Sequence, residues 1–194
     1  GGTVGEQLLK DERISHYTFT GSPGVGKHIQ ETIGLRKATL ELGSNSATIV
    51  HGDGEIKKAA QRLAKMAFAH AGQICISVQR IYVQGCVLKP FLEEFLHEVS
   101  QLKVGNPLDP ETKVGPMISE KEAIRVEKWI DEAVEAGAEI ITGGRREGSI
   151  VYPTVLTNVK SGMKVVDEEV FAPVVSVTSY ETIEEAIELV NNSK

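Results

Sequence analysis

Two hydrophobic rhythms alternate along the chain, one with a period of two and one near 3.6. Residues 3–10 suit a short helix. His16-Tyr17-Thr18-Phe19-Thr20 is rich in β-formers and predicts a strand. A helical run follows to about Ile33. Ala38-Thr39-Leu40-Glu41-Leu42 alternates and predicts a second strand. After a turn at Gly43-Ser44-Asn45, Ala47-Thr48-Ile49-Val50 predicts a third. Over residues 55–70, Ile56, Ala59, Ala60, Leu63 and Ala67 share one helical face. Residues 80–84 read as a strand, and Leu88, Phe91, Leu92, Phe95, Leu96 and Val99 mark an amphipathic helix. Residues 103–118 are rich in Gly and Pro and predict a structured loop. Ser119 and Glu122 form a capping box for a helix expected to bury Val126, Trp129, Ile130, Ala133 and Val134, with Gly137 ending it. Glu139-Ile140-Ile141-Thr142 predicts a short strand, residues 152–159 an extended stretch, residues 167–173 a loop, and residues 174–180 a strand. Thr182 and Glu185 cap a last helix. Strands and helices alternate throughout, which predicts an α/β chain with a mostly parallel sheet flanked by helices.

Composition narrows the function classes. A chain of 194 residues is long enough for one good core or two small ones. Net charge is -6 and there is no basic run, which argues against a nucleic-acid partner. No apolar run approaches a membrane span, and the start lacks a signal-peptide pattern. Two cysteines do not make a disulfide framework, so a reducing cytoplasm is the expected setting. The opening Gly1-Gly2-Thr3-Val4-Gly5, without an initiator Met, and the abrupt Asn191-Asn192-Ser193-Lys194 suggest a piece of something longer.

Four stretches carry candidate chemistry. Gly72-Gln73-Ile74-Cys75 places a thiol behind a Gly-Gln pair, with Arg80 five residues on. A free Cys behaves most often as a small buried hydrophobe. The alternative is a nucleophile, with backbone N–H groups near the thiolate ready to bind an oxyanion. Gly21-Ser22-Pro23-Gly24-Val25-Gly26-Lys27 sits between a strand and a helix, an arrangement that aims N–H groups at a phosphate. It fits most of a P-loop, but His28 stands where that motif needs Ser or Thr, and no apolar strand ends in a second metal-binding Asp. A turn with no ligand, and a dinucleotide site, both remain. Glu41, between two leucines, reads either as a solvent-facing carboxylate or as a general base raised by burial. Glu169 and Phe171 read either as a surface acid and a core aromatic, or as a ribose-binding carboxylate and a cofactor-facing ring. Cys86, beside Gly85, reads as structural. The five histidines lack metal-ligand spacing, so no metal is expected.

Taken in order, Phe19-Thr20-Gly21-Ser22-Pro23-Gly24-Val25-Gly26, Leu40-Glu41-Leu42-Gly43, Gly72-Gln73-Ile74-Cys75 with Arg80, and Glu169-Val170-Phe171-Ala172-Pro173-Val174 resemble the signature blocks of the NAD(P)-dependent aldehyde dehydrogenase superfamily. Gly105-Asn106-Pro107-Leu108 and Val114-Gly115-Pro116-Met117 resemble further family segments. The resemblance implies an aldehyde oxidised to a carboxylic acid through a thiohemiacetal and thioester on Cys75, with Glu41 activating the thiol or the deacylating water. It implies NAD or NADP as cofactor, with Gly21, Ser22, Val25, Gly26 and Leu42 near it, Glu169 on the nicotinamide ribose and Phe171 close by. It also implies a homo-oligomeric parent enzyme.

The chain departs from the family pattern in two places. Ser44-Asn45-Ser46-Ala47 replaces the usual Gly-Lys-Ser-Pro after the Leu-Glu-Leu-Gly block, and Ala172 stands where Gly is common. Family members are more than twice this length. The resemblance therefore implies a fragment: residues 1–42 as the tail of a Rossmann-like cofactor domain, residues 43–194 as most of the catalytic domain, with little activity alone. A non-catalytic remnant of the same fold, and a P-loop-like nucleotide module, stand as alternatives.

Overall fold

Two short strands with alternating faces build the first part of the molecule. The computed structural model describes residues 2–45 and 47–193. Gly1, Ser46 and Lys194 lie outside the described residues, and with them the parts of the terminal and Ser44-Asn45-Ser46-Ala47 readings that rest on those three. The chain divides into two compact units, Gly1–Ser44 and Asn45–Lys194.

The first unit holds α1 (Gly2–Lys10), β1 (His16–Thr20), α2 (Pro23–Ile33) and β2 (Lys37–Glu41). β1 and β2 pair in parallel, with Phe19 opposite Leu40 and Thr20 opposite Glu41. Alternation sends Tyr17, Phe19, Ala38 and Leu40 inward against Leu9, Ile29 and Ile33, and leaves the polar residues outside. Arg36 ties the unit together. It donates to the Tyr17 hydroxyl at 2.7 Å and to the carbonyls of Leu9 and Asp11 at the end of α1, where a cation suits the helix dipole.

The second unit runs β3 (Ala47–Val50), α3 (Ile56–Phe68), a 3₁₀ turn (Ala69–Gly72), β4 (Arg80–Gln84), α4 (Gly85–Ser100), α5 (Glu120–Glu135), β5 (Glu139–Thr142), β6 (Arg146–Glu147), β7 (Ile150–Val151), β8 (Thr154–Thr157), α6 (Lys164–Asp167), β9 (Val174–Tyr180) and α7 (Ile183–Asn191). Its main sheet has the order β3-β4-β9-β8-β5. The first four strands are parallel and β5 is antiparallel to β8. β4, β8 and β9 are buried along most of their length, as strands covered on both faces must be. One face packs Ile81, Val83, Val155 and Val175 against Leu63, Phe68, Phe91 and Phe95 of α3 and α4, with Phe91 stacked on Phe95 at 5.4 Å. The other packs Leu156 and Val174 against Val126, Ile130 and Ala133 of α5, while Tyr82 and Tyr180 lie beside Ala186 of α7. Ser119 and Thr182 cap α5 and α7 by accepting from the amides of Glu122 and Glu185.

Several details differ from the sequence expectation. Val134 is exposed. It stands about 80° round the helix from Val126, at the rim of the buried stripe. α3 stops at Phe68, because the next residues leave helical angles. Asp167 belongs to α6, so the following loop starts at Glu168. The β6–β7 hairpin and α6 are too short to leave a period in the sequence. Among the described residues, no helix is long and apolar enough to cross a membrane.

Candidate functional site

In parallel sheets, loops after the carboxyl ends of strands are where ligands collect. The first unit gathers its candidates there. The Gly21 amide donates to the Glu41 carbonyl at 3.0 Å, so the glycine-rich turn and the candidate base are neighbours. Ser22 is the N-cap of α2 but makes no side-chain cap bond, and Pro23 begins the helix. Gly26 is buried against Leu42: a Cβ there would lie 2.5 Å from Leu42 Cδ2. Val25 is exposed beside them. Within its own unit Glu41 is exposed, so the pocket burial that would tune a base is not supplied by this unit's atoms. The P-loop alternative loses its geometry. Gly24, Gly26 and Lys27 already lie inside α2, which leaves no open loop to wrap a phosphate, and Lys27 faces Glu31 one turn on.

The second unit gathers Cys75, Glu169 and Phe171. After α3, His70 and Ala71 take φ of 50° and 55°, and Gly72 follows at 68°. The two non-glycine residues cost about 1 kcal/mol each in this left-handed region. Gly72 then lies directly on the loop before β9, where a Cβ would come 2.0 Å from the Ala172 carbonyl oxygen. Gln73 holds a second wall, accepting from the Ile118 amide at 2.8 Å and donating to the Pro116 carbonyl at 3.3 Å. That wall is itself braced. Lys103 donates to Asp109 at 2.7 Å and holds its carboxyl below the ordinary value, and the Glu111 amide adds to this.

Behind the thiol, Ser77 donates to the Ala67 carbonyl at the end of α3. Gln79 is buried and bonded to the backbone of Glu168 and Val170. Arg80 is only 3% exposed. Its guanidinium donates to the carbonyls of Asn45, Leu189 and Val190 and to the Tyr82 hydroxyl, and every one of these acceptors is neutral. Leu189 and Val190 end α7, so the helix dipole helps to balance the buried cation.

Between these anchors the loop turns outward. Cys75 is exposed and Ile76 is 68% exposed. The reading of Cys75 as a small buried hydrophobe is therefore corrected: the anchored residues on either side take the interior and leave the thiol outside. Phe171 is exposed, not a core aromatic, and has φ of 52°. Glu169 is half-buried next to it. Cys86 is exposed as well. A cavity of about 1320 Å³ opens beside the loop, with His70, Gln73, Pro116, Ile118 and Phe171 in its wall. Cys75 is not in that wall. No group of His, Cys, Asp and Glu able to hold a metal occurs among the described residues. Sequence reasoning quoted Gln73 beside the thiol without giving it a role, and it passed over Gln79 and Arg125 as site residues. The one available signal was Gln79, a polar residue beside Arg80 at the start of an otherwise apolar strand.

The model of the aldehyde dehydrogenase family matches residues 1–194. The chain is 50% identical over 193 residues to a 3-sulfolactaldehyde dehydrogenase of Priestia aryabhattai, spanning all of this chain and 40% of that protein. It is 39% identical over 194 residues to a lactaldehyde dehydrogenase of Methanococcus maripaludis, spanning 42% of that one. Among solved structures it superposes on aldehyde dehydrogenase 21 of Physcomitrella patens, in complex with succinate, with TM-score 0.95 and 37% identity; all of this chain and 40% of that one are covered. A glyceraldehyde-3-phosphate dehydrogenase of Methanocaldococcus jannaschii complexed with NADP gives TM-score 0.95 and 38% identity, over all of this chain and 42% of that one. The chain thus spans about 40% of the length of the curated relatives it matches.

Proposed function

The chain belongs to the aldehyde dehydrogenase family, and from that premise we propose that its whole protein oxidises an aldehyde to a carboxylic acid with NAD or NADP, using Cys75 as nucleophile. The observation that carries this reading is an exposed thiol on a loop whose neighbours are anchored on both sides. Anchoring presents a nucleophile in one geometry, which is where much of an enzyme's advantage over solution comes from.

The Cys75 thiolate adds to the aldehyde carbon, and the carbonyl oxygen becomes an oxyanion beside the backbone of the thiol loop. Cys75 carries the adduct as a thiohemiacetal and, once oxidised, as a thioester. Glu41 takes the proton from the thiol, or from the water that hydrolyses the thioester. Nicotinamide, when bound, supplies the hydride acceptor. The residues fit such a group: a helix N-terminus whose N-cap Ser22 makes no side-chain cap bond, open space beside Gly24, and an exposed Val25, with Gly21 and Gly26 packed on Phe19 and Leu42 beneath them. Glu169 would hold the nicotinamide ribose, and Phe171 would lie against the ring.

The domain reading follows as a proposal: residues 1–42 as the end of a cofactor domain and 43–194 as most of a catalytic domain. The lactaldehyde and sulfolactaldehyde named for the relatives share a hydroxyl beside the aldehyde carbon. We therefore take a short 2-hydroxyaldehyde as the substrate to try first. The whole protein is further proposed to be a cytoplasmic homo-oligomer.

Cofactor-free hydrolysis of an activated ester tests the thiol without the nicotinamide. Activity that vanishes in Cys75→Ala and slows in Glu41→Gln is the expected result. A folded sample of the whole protein with no such activity would overturn the assignment and leave a structural module of the same fold.

A further inference from the structure

We propose that Gln79 and Arg125 are positioning residues that grip the Val170 peptide from its two sides, and so set Glu169 and Phe171 against Cys75. This rests on the reading of Glu169 and Phe171 as cofactor contacts. Val170 lies between those two residues. Its N–H donates to Gln79 Oε1 at 2.8 Å, and its carbonyl accepts from Arg125 Nη2 at 2.8 Å. Its side chain is 1% exposed, in the core under α5. One residue thus has its amide, its carbonyl and its side chain all fixed by groups distant in sequence.

Each gripping side chain is itself held. Gln79 Nε2 donates to the Glu168 carbonyl at 2.7 Å, and the Gln79 carbonyl accepts from the Ser176 amide at 2.9 Å. Arg125 Nε donates to Glu122 at 2.7 Å, and its guanidinium stacks over the Trp129 ring at 4.5 Å. The chemistry at position 79 is demanding. The group must accept from one amide and donate to one carbonyl at the same time, which a primary amide does, a carboxylate does only in part and a thioether does not. Gln79 is four residues from Cys75, so the loop before β9 is referenced to the segment that leads from the thiol into β4.

The grip has a reason. Phe171 holds φ of 52°, a conformation that an aromatic residue keeps only where its surroundings over-determine it. Val170 is the residue through which that constraint is applied. With its peptide released, Phe171 is free to relax towards ordinary angles and Glu169 turns with it. Neither gripping residue needs to touch the substrate or the cofactor for this to matter.

The test uses the whole enzyme that contains this chain. Arg125→Met keeps an unbranched apolar side chain and removes the donors; since Arg125 is half-buried, the fold should survive. Gln79→Glu is the second variant, with the acceptor kept and the donor lost. Three readouts are needed: NAD(P)-dependent aldehyde oxidation, cofactor-free ester hydrolysis, and hydrogen exchange over residues 168–172. The expected result for Arg125→Met is a loss on the order of tenfold or more in the cofactor-dependent reaction, through KM for the cofactor or kcat, exceeding the loss in ester hydrolysis. Exchange over 168–172 becomes faster, and Arg125→Lys recovers part of both. Equal loss in the two reactions, or unchanged exchange in both variants, would overturn the proposal. Failure of the underlying reading looks different: Glu169→Gln and Phe171→Ala would leave KM for the cofactor and kcat of aldehyde oxidation unchanged, while Arg125→Met still quickens exchange over 168–172.

Discussion

The glycine-rich turn at residues 21–27 and the thiol loop at residues 70–75 both use glycine beside a secondary-structure element. Their glycines are there for different reasons. Gly24 and Gly26 lie inside α2 with ordinary helical angles, and Gly26 is small because Leu42 packs on it. Gly72 has φ of 68° and lies on the backbone of Ala172. In the first case glycine yields to a side chain that can move. In the second it yields to a backbone that cannot, and to a dihedral few residues adopt. A glycine that makes room is negotiable, whereas one that meets another strand of backbone is part of the site's frame.

Gly72→Ala should show the largest effect. The new Cβ would fall 2.0 Å from the Ala172 oxygen and 2.4 Å from its carbon, so one loop must move. Left-handed strain of about 1 kcal/mol adds to the displaced contact, and the total should exceed about 4 kcal/mol, or leave a folded protein with its thiol loop rearranged. Denaturant unfolding together with the rate of Cys75 alkylation reads both outcomes. An unchanged midpoint and an unchanged alkylation rate would mean that the two loops do not touch.

Gly26→Ala should cost less, although its nearest contact, at 2.5 Å, is also short. That contact is with the end of Leu42, which can rotate. Overpacking of about 2 kcal/mol, offset by about 1 kcal/mol of helix propensity, leaves a loss near 1 kcal/mol in thermal unfolding. A loss as large as that of Gly72→Ala would erase the distinction between the two loops.

The same contrast explains what could be read from the chain. Helices α3, α4 and α5 were legible because Leu63, Phe91, Phe95, Val126 and Ile130 recur at helical spacing, and Ser119 and Thr182 mark the starts of α5 and α7 by local chemistry. The four-residue α6 and the two-residue β6 and β7 leave no period to detect. Whether β5 runs parallel or antiparallel depends on what it pairs with, which no local pattern contains. In the site, the cysteine and the glycine beside it stood out as residue types. The grip of Gln79 on Val170 spans 91 positions and that of Arg125 spans 45, so neither leaves a trace in nearby residues. Nor did the outward turn of Cys75, which follows from angles at His70 and Ala71 that their residue types disfavour.

Two small substitutions of opposite chemistry should shift stability in the same direction. Gly24→Ala places a methyl where nothing lies within 4 Å, inside a helix, and should stabilise the first unit by about 0.5 kcal/mol or slightly more. His70→Gly removes an exposed side chain from a residue at φ 50°. Relief of about 1 kcal/mol of left-handed strain, less the extra chain entropy of glycine in the unfolded state, leaves a gain near 0.5 kcal/mol. The Gln73 bond to this position goes to the backbone carbonyl and survives the change. Adding a side chain helps in the turn and removing one helps in the thiol loop, because the first backbone is helical and the second is not. Thermal unfolding of both variants reads the signs directly. A destabilised His70→Gly protein would show that the imidazole, rather than the conformation beneath it, is what the loop retains at this position.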